Sequence, residues 1–201
     1  DDPETLLYLA QSASIPLHIW ASRVETLELP DWCVIDLDPK EAPFSDVVKV
    51  ARTLHRICDD AGLPNYVKTT GKTGLHILIP LGRQFTYEQS RTLGELLARL
   101  VLREHQSIAT IMRAVTKRGE KVYLDYLQNR HGQLIVAPFS VRPLPGATVS
   151  MPLLWDEVDE SLDERRFTFT IETAVARMES LGSDPVLPVI EEKPDLAAGL
   201  T

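Results

Sequence analysis

The sequence predicts an α+β domain with a mostly antiparallel sheet and flanking helices. Two observations carry this prediction. Strand-like and helical segments follow one another in the order β-α-ββ-α-ββ, and short glycine-containing turns join neighbouring strand segments. The 201 residues, 44% of them hydrophobic, can bury a substantial core. We expect that core over residues 1–160, with a C-terminal helix and an extended acidic tail packed on it over residues 161–201.

The first half of the chain alternates helical and extended patterns. Residues 4–12 favour a short helix, residues 16–22 an extended stretch and residues 32–37 a buried strand. Apolar residues then recur at helical spacing over residues 45–61, where the serine at the first position is expected to cap the helix and Gly62 to close it.

The next elements have clear turn and cap signals. Residues 65–69 and 75–80 predict a hairpin joined by the glycine-rich turn of residues 70–74. Thr86 and Gln89 form the capping-box pattern of a helix that ends near residue 104.

Two further strand-like runs, residues 121–127 and 133–138, predict another strand pair. A proline-rich stretch over residues 142–146 precedes a helix around residues 171–181.

Charge is unevenly distributed along the chain. The formal net charge is −8, which by itself argues against a nucleic-acid partner. Residues 99–142, however, carry eight Lys or Arg against three acids, while residues 156–195 carry twelve acids against four Lys or Arg. The basic middle therefore permits a local phosphate site. Cys33 and Cys58 lie in apolar segments, so we expect free buried thiols in a reducing cytoplasm, with no membrane span and no secretory signal.

Asp36 and Asp38 are the most informative residues, because they occupy alternate positions of an apolar run. In a strand both would point to one face, about 6–7 Å apart, while Leu37 points into the core. Such a pair favours a divalent cation such as Mg²⁺ or Mn²⁺. Two solvated acids at a strand exit are the simpler alternative.

Asp125 is a third candidate, because acids are depleted in strands. An edge position, or an ion pair with Arg118 or Lys121, would also explain it. If its strand lies beside that of Asp36, the three carboxylates could hold two metal ions.

The turn of residues 70–74 offers hydroxyl, amide and ammonium donors that can hold phosphates. It is not a P-loop, because Tyr66 stands where a glycine is needed and a strand follows instead of a helix. An ordinary hairpin turn with a solvated lysine remains the alternative. His18 and His76, taken singly, favour packing roles.

Together, residues 36–39, 69–76 and 123–129 resemble the three motifs of the archaeo-eukaryotic primase superfamily. The nearest resemblance is to the polymerase domain of bacterial ATP-dependent DNA ligase D, which works in non-homologous end joining. The likeness covers most of residues 5–160, with the motifs in the right order. It implies a primase-polymerase (RRM-like) catalytic core whose N-terminal family segment is absent here.

The resemblance implies a nucleotidyltransferase that extends primers or fills short gaps in double-strand break repair, with ribonucleotides preferred. It implies two Mn²⁺ or Mg²⁺ ions held by Asp36, Asp38 and Asp125. The nucleotide-binding residues that it implies are His18, Thr70, Gly71, Lys72, Thr73, His76, Arg118, Gln128 and Arg142. Expected partners are a DNA primer-template or gapped ends, nucleoside triphosphates, a DNA ligase and a Ku-type protein. We expect a monomer in the bacterial cytoplasm.

The chain departs from the family pattern at Thr70, where serine is usual, and at Thr73, where lysine is frequent. Two alternatives stay open. One is a truncated, non-polymerising nucleotide- or DNA-binding module of a repair complex. The other is an Asp-nucleophile phosphohydrolase, which would require a parallel sheet.

Overall fold

The computed structural model describes residues 2–165 and 169–195. Its strands are β1 (His18–Ile19), β2 (Trp32–Asp38), β3 (Tyr66–Thr69), β4 (Leu75–Pro80), β5 (Ala109–Thr110), β6 (Val122–Asp125), β7 (Ile135–Val136) and β8 (Pro152–Leu153). Its α-helices are α1 (Pro3–Gln11), α2 (Phe44–Asp60), α3 (Tyr87–His105), α4 (Leu162–Arg165) and α5 (Ala174–Leu181). Short 3₁₀ helices cover Val24–Thr26, Val115–Lys117, Tyr126–Asn129, Trp155–Glu157 and Leu187–Ile190.

The strands of the described chain form a six-stranded sheet in the order β5-β6-β2-β4-β3-β8, and β1 pairs with β7 separately. Every neighbouring pair is antiparallel except β5 and β6, which are parallel. The predicted α+β class with a mostly antiparallel sheet is therefore confirmed. Antiparallel neighbours on both sides of β2 also rule out the parallel sheet of the phosphohydrolase alternative.

The two faces of the sheet have different surroundings. Ile35, Leu37 and Ile77 are fully buried in the main core, which α2 and α3 cover. Because side chains alternate along a strand, the intervening residues lie on the opposite face. A smaller apolar cluster lies there and comprises Trp32, Val34, Leu78, Ile135, Val186 and Val189.

Helix α2 follows the predicted apolar spacing, but its N-cap lies two residues earlier than predicted. Pro43 is its N-cap residue, and no side chain caps it, so the predicted cap at Ser45 is wrong. Proline is suited to a helix start because its backbone lacks the N–H that would be unpaired there. At the other end, Gly62 has a φ of +63° and the Leu63 N–H donates to the Cys58 carbonyl at 2.8 Å, which closes the helix as predicted.

The hairpin and the capping box are both confirmed. β3 and β4 pair antiparallel, and the Thr70 N–H donates to the Gly74 carbonyl across the turn at 3.0 Å. At the start of α3, the Thr86 N–H donates to Gln89 Oε1 at 2.9 Å, and the Gln89 N–H donates to Thr86 Oγ1 at 3.3 Å.

The predicted pairing of residues 121–127 with 133–138 is wrong. β6 pairs with β2 and β5, whereas β7 pairs with β1. The side chain of Asn129 explains the separation, because its amide and carbonyl groups bind the Val34 carbonyl and N–H, each at 2.7 Å. These bonds hold the 3₁₀ helix Tyr126–Asn129 against β2 and end β6 after Asp125.

Four smaller findings complete the fold. The extended stretch predicted over residues 16–22 contains only the two-residue strand β1, and the helix predicted around residues 171–181 begins at Ala174. Cys33 and Cys58 are buried free thiols, as expected. Within the described ranges, no helix is both long and apolar enough to cross a membrane.

Candidate active site

The three predicted acids lie on two neighbouring strands. Asp36 on β2 is directly opposite Asp125 on β6, and Asp38 is opposite Tyr123. Leu37, between the two acids of β2, is fully buried in the main core, so both acids lie on the opposite face as predicted. The condition for a three-carboxylate site, that the strand of Asp125 lies beside that of Asp36, is therefore met.

Asp38 is held by cationic and backbone donors. Arg118 Nη1 lies 3.3 Å from Asp38 Oδ2, and the Lys40 N–H donates to Asp38 Oδ1 at 3.2 Å. Arg118 is itself buried and fixed, because it donates to the carbonyls of Met112 at 3.1 Å and Arg113 at 3.0 Å. Its guanidinium also lies 3.6 Å from the centre of the Tyr123 ring.

Asp125 accepts hydrogen bonds and forms no salt bridge with another described residue. The Leu127 N–H and the Tyr123 hydroxyl donate to its Oδ1 at 2.9 and 3.2 Å, and Gln128 Nε2 lies 3.4 Å from its Oδ2. Burial raises the pKa of Asp125, and the negative charge of Asp36 raises it further. A cation between the carboxylates of Asp36 and Asp125 would relieve this repulsion.

The donor set of Asp36 and Asp125 fits a hard divalent cation, since it consists of carboxylate oxygens facing each other on adjacent strands. The described residues nevertheless contain no group of three or more Asp, Glu, His or Cys side chains arranged as a metal-binding cluster. Asp38 contacts Arg118 and Asp125 accepts from Tyr123, so both carboxylates are engaged by protein groups.

His76 supports Asp36 from the other side. It lies opposite Asp36 in the β2–β4 pair, and its Nε2 is 3.5 Å from Asp36 Oδ1. The imidazole is only 4% exposed, and burial followed by the positive charge of Lys68 lowers its pKa. His76 Nδ1 is buried without a hydrogen-bond partner among the described residues.

A cavity of about 270 Å³ opens in front of these groups. It lies between β1, the turn of residues 70–74, β7 and Arg142. The predicted site residues that line it are His18, Asp36, Asp38, Thr70, Lys72, Thr73, His76, Gln128 and Arg142.

A neighbouring cavity of about 220 Å³ contains Asp125 and Arg118. Gln128 lines both cavities and so marks their junction. Arg113 and Arg130 also line the smaller cavity and give it a basic wall. The fold thus brings the predicted residues together in two adjoining spaces.

Gly71 is the exception among the predicted residues, since it lines neither cavity. It has a φ of +68°, and a Cβ at this position would lie 2.7 Å from Arg142 Cγ and 2.9 Å from the Ser150 nitrogen. Thr148 Oγ1 donates to its carbonyl at 2.5 Å. Gly71 therefore lets the turn approach the Arg142 segment closely.

Thr70 stabilises the turn itself. Its Oγ1 accepts hydrogen bonds from the N–H groups of Lys72 at 3.2 Å and Gly74 at 3.1 Å. Serine has the same hydroxyl acceptor, so threonine can stabilise the turn at the position where serine is usual in the family that the sequence resembles.

Three residues that shape the site were not predicted from the sequence: Lys68, Asn129 and Ser150. The sequence did contain a signal for Lys68. In the predicted hairpin it alternates with the apolar Val67, and the strand pairing places it on the same face as His76. Asn129 and Ser150 had none, since their partners Val34 and Thr69 are distant in the sequence.

The family model described as "LigD, primase-polymerase domain" matches residues 1–186. The bifunctional non-homologous end joining protein LigD of Bacillus subtilis is 35% identical over 184 residues, which are 90% of this chain and 30% of that protein. The multifunctional non-homologous end joining protein LigD of Pseudomonas aeruginosa is 31% identical over 157 residues, 78% of this chain and 19% of that protein. The chain thus spans less than a third of the length of these relatives.

The solved structure of the polymerase domain from Mycobacterium tuberculosis ligase D in complex with DNA has the same fold. The TM-score is 0.81 at 24% sequence identity, and the match covers 94% of this chain and 68% of that one. At this identity the likeness establishes the fold.

Proposed function

The chain belongs to the LigD primase-polymerase domain family, and from this premise we propose that it is a metal-dependent nucleotidyltransferase. It would extend a primer or fill short gaps at broken DNA ends during non-homologous end joining. The observation that carries the proposal is the placement of Asp36 opposite Asp125, with Asp38 two residues farther along the same strand face. Asp36 and Asp38 line the larger cavity, and Asp125 lines the smaller cavity that adjoins it.

Asp36, Asp38 and Asp125 are the residues that would hold two Mg²⁺ or Mn²⁺ ions. When bound, such ions make the primer 3′-hydroxyl a better nucleophile and neutralise the pyrophosphate that leaves. His76, 3.5 Å from Asp36, would fix the orientation of that carboxylate. Arg118 would have to release Asp38 before the latter could serve as a ligand.

The larger cavity would take the incoming nucleoside triphosphate. Lys72 and Arg142 both line it and supply positive charge. Arg142 lines this cavity, and its buried Nε has no hydrogen-bond partner in the described part of the chain. His18 also lines the cavity and would contact the sugar or the base, and a preference for ribonucleotides is part of the proposal.

The primer strand would approach through the smaller cavity. Arg113 and Arg130 line it beside Asp125, in the basic segment of residues 99–142. Arginines in such a place bind backbone phosphates and position the strand without reading its sequence. The DNA bound to the M. tuberculosis polymerase domain supports a DNA partner for this chain. A DNA ligase and a Ku-type protein are the further partners that we propose.

The decisive experiment is primer extension on a short gapped duplex with Mn²⁺, in parallel reactions with ribo- and deoxynucleoside triphosphates. Asp125→Ala is the catalytic variant, and Asp60→Ala, an exposed acid on α2, is the matched control. We expect extension by the wild type and by the control, and a loss of about 10³-fold or more in Asp125→Ala, since the site loses a metal ligand. Extension that survives in Asp125→Ala would contradict the proposed site.

A non-polymerising nucleotide- or DNA-binding module is the second candidate. The ion pair between Arg118 and Asp38 favours it, because that pair engages one of the three carboxylates. In the same assay this alternative predicts nucleotide or DNA binding without extension by the wild type.

A further inference from the structure

A fully buried lysine borders the candidate site and has no part in the proposed mechanism. Lys68 on β3 has no exposed surface and lies opposite His76, which in turn lies opposite Asp36. Residues in register on adjacent strands project to the same face. The ammonium of Lys68 is therefore on the face that carries the acids. A buried cation is costly unless its surroundings compensate for the lost water.

The hydrogen bonds to this charge come from neutral groups, while Asp36 acts on it only through its own charge. Lys68 Nζ donates to Ser150 Oγ at 2.6 Å and to the Thr69 carbonyl at 3.4 Å. No carboxylate of the described residues forms an ion pair with it. A lysine whose role was only to stabilise the sheet would more simply be an apolar residue of similar volume.

Ser150 connects Lys68 to both walls of the larger cavity. Its hydroxyl donates to the Thr69 carbonyl at 2.8 Å, at the point where β3 enters the turn of residues 70–74. Its backbone N–H donates to the Ser140 carbonyl at 2.9 Å, and Arg142 follows two residues later. Lys68 thus sits where the phosphate-binding turn and the Arg142 segment meet.

Two cationic side chains, Lys68 and Arg142, act on each other at this point. Burial lowers the pKa of Lys68 to about 7, with the charge of Arg142 acting in the same direction and Asp36 opposing it. His76 Nδ1 and Arg142 Nε are both buried without hydrogen-bond partners among the described residues. His76 Nδ1 is an acceptor, because the neutral imidazole faces the Asp36 carboxylate with its Nε2–H. The unpaired Nε donor of Arg142, together with the charge of Lys68, favours an anionic ligand in the adjoining cavity.

We propose that Lys68 is a positioning residue for the triphosphate. Through Ser150 it holds the turn and the Arg142 segment at the separation that a polyphosphate requires. Its buried positive charge also attracts the negatively charged triphosphate. It does not touch the nucleotide. This inference rests on the proposed function, because it assigns the larger cavity to the triphosphate.

The test compares Lys68→Met, Ser150→Ala and Val67→Ala in the full chain. Lys68→Met keeps most of the side-chain volume, Ser150→Ala removes the linking hydroxyl and leaves the charge, and Val67→Ala removes core packing from the other face of β3. Calorimetry measures the affinity for ATP with Mg²⁺ and for inorganic tripolyphosphate, circular dichroism measures folding, and primer extension gives KM and kcat.

We expect Lys68→Met to weaken both probes about tenfold and Ser150→Ala about threefold, with KM changing more than kcat. Val67→Ala should lower the melting temperature and leave both affinities unchanged. Equal affinities in wild type, Lys68→Met and Ser150→Ala would overturn the inference and leave the proposed function intact. If Lys68→Met does not fold, an unchanged affinity in Ser150→Ala overturns it. A wild type that binds neither probe would contradict both the inference and the proposed function.

Discussion

Asp36 and Asp125 face each other across the antiparallel pair of β2 and β6. Two carboxylates at directly opposed positions repel, and here one of them is also partly buried. The fold keeps this unfavourable pair at the centre of the face that carries the cavities. Retention of such repulsion is typical of functional sites, where stability is sacrificed for chemistry.

The first prediction concerns pH. The pKa of Asp125 is raised in the fold, so the folded chain binds this proton more tightly than the unfolded chain does. The resulting stabilisation is complete below the unfolded pKa and is lost as the pH rises through the folded pKa. Asp125→Asn should therefore gain stability relative to wild type between about pH 4 and pH 7. Urea unfolding at several pH values measures this, with the exposed Glu191→Gln as the control for loss of one charge. A stability difference that does not vary with pH would contradict it.

The second prediction concerns the triphosphate. Arg142→Met should raise KM for the nucleotide by about 10- to 100-fold, because a charge-assisted contact to phosphate is lost. Arg99→Met is the matched control, since Arg99 is exposed on α3 and pairs only with Glu95 among the acids of the described chain. Steady-state extension kinetics give the comparison. Equal KM values in the two variants would remove Arg142 from the nucleotide site.

The third prediction separates two glycines with similar backbones. Gly62 and Gly71 have φ values of +63° and +68°, but only Gly71 lacks room for a Cβ. Gly62→Ala should cost about 1 kcal/mol of unfolding free energy, the usual penalty for this conformation. Gly71→Ala should cost more and should also weaken nucleotide binding, because the methyl group displaces Arg142. Urea unfolding and nucleotide titration of both variants test this, and similar losses in both would refute the close-approach argument.

The fourth prediction concerns Arg118. Its guanidinium bonds two carbonyls and Asp38, so Arg118→Met leaves three acceptors without their donor. We expect the unfolding free energy to fall by about 2–4 kcal/mol. The exposed neighbour Lys117→Met should change stability by less than about 0.5 kcal/mol. Denaturant unfolding measures both variants. An Arg118→Met variant as stable as the wild type would show that the arginine does not hold residues 112–113 and Asp38 together.

The fifth prediction concerns the thiols. Burial raises the pKa of both Cys33 and Cys58 to about 12, so neither forms a thiolate near neutral pH. A thiol-specific chromogenic disulfide should react with neither group in the native protein and with both in denaturant. Rapid reaction of one thiol under native conditions would mean that its helix or strand opens locally.

Local patterns predicted a large part of the fold. The alternation of acids with Leu37 set the functional face, and the Thr86 capping box and the hairpin around residues 70–74 were confirmed. These features depend on residues that are close in the sequence, where backbone geometry leaves few choices.

Features that depend on distant contacts were not predictable. The pairing of residues 121–127 with 133–138 was wrong because Asn129 bonds the backbone of Val34, about a hundred residues earlier in the chain. The burial of Lys68 was not predictable, since the Ser150 segment that contacts it lies far along the chain. The roles of the individual site residues, and the division at residue 160, remain predictions.

The placement of β2 also limits how this chain can change during evolution. Both acids depend on the alternation of a strand that is paired on its two edges. Deleting or inserting one residue before Asp36 within Trp32–Asp38 would exchange the faces of the residues beyond it. Such a change would send a carboxylate into the helix-covered core and Leu37 into the cavity. The strand should therefore accept apolar replacements while rejecting any change of length, so homologues of this domain should show gaps on either side of β2 but not within it.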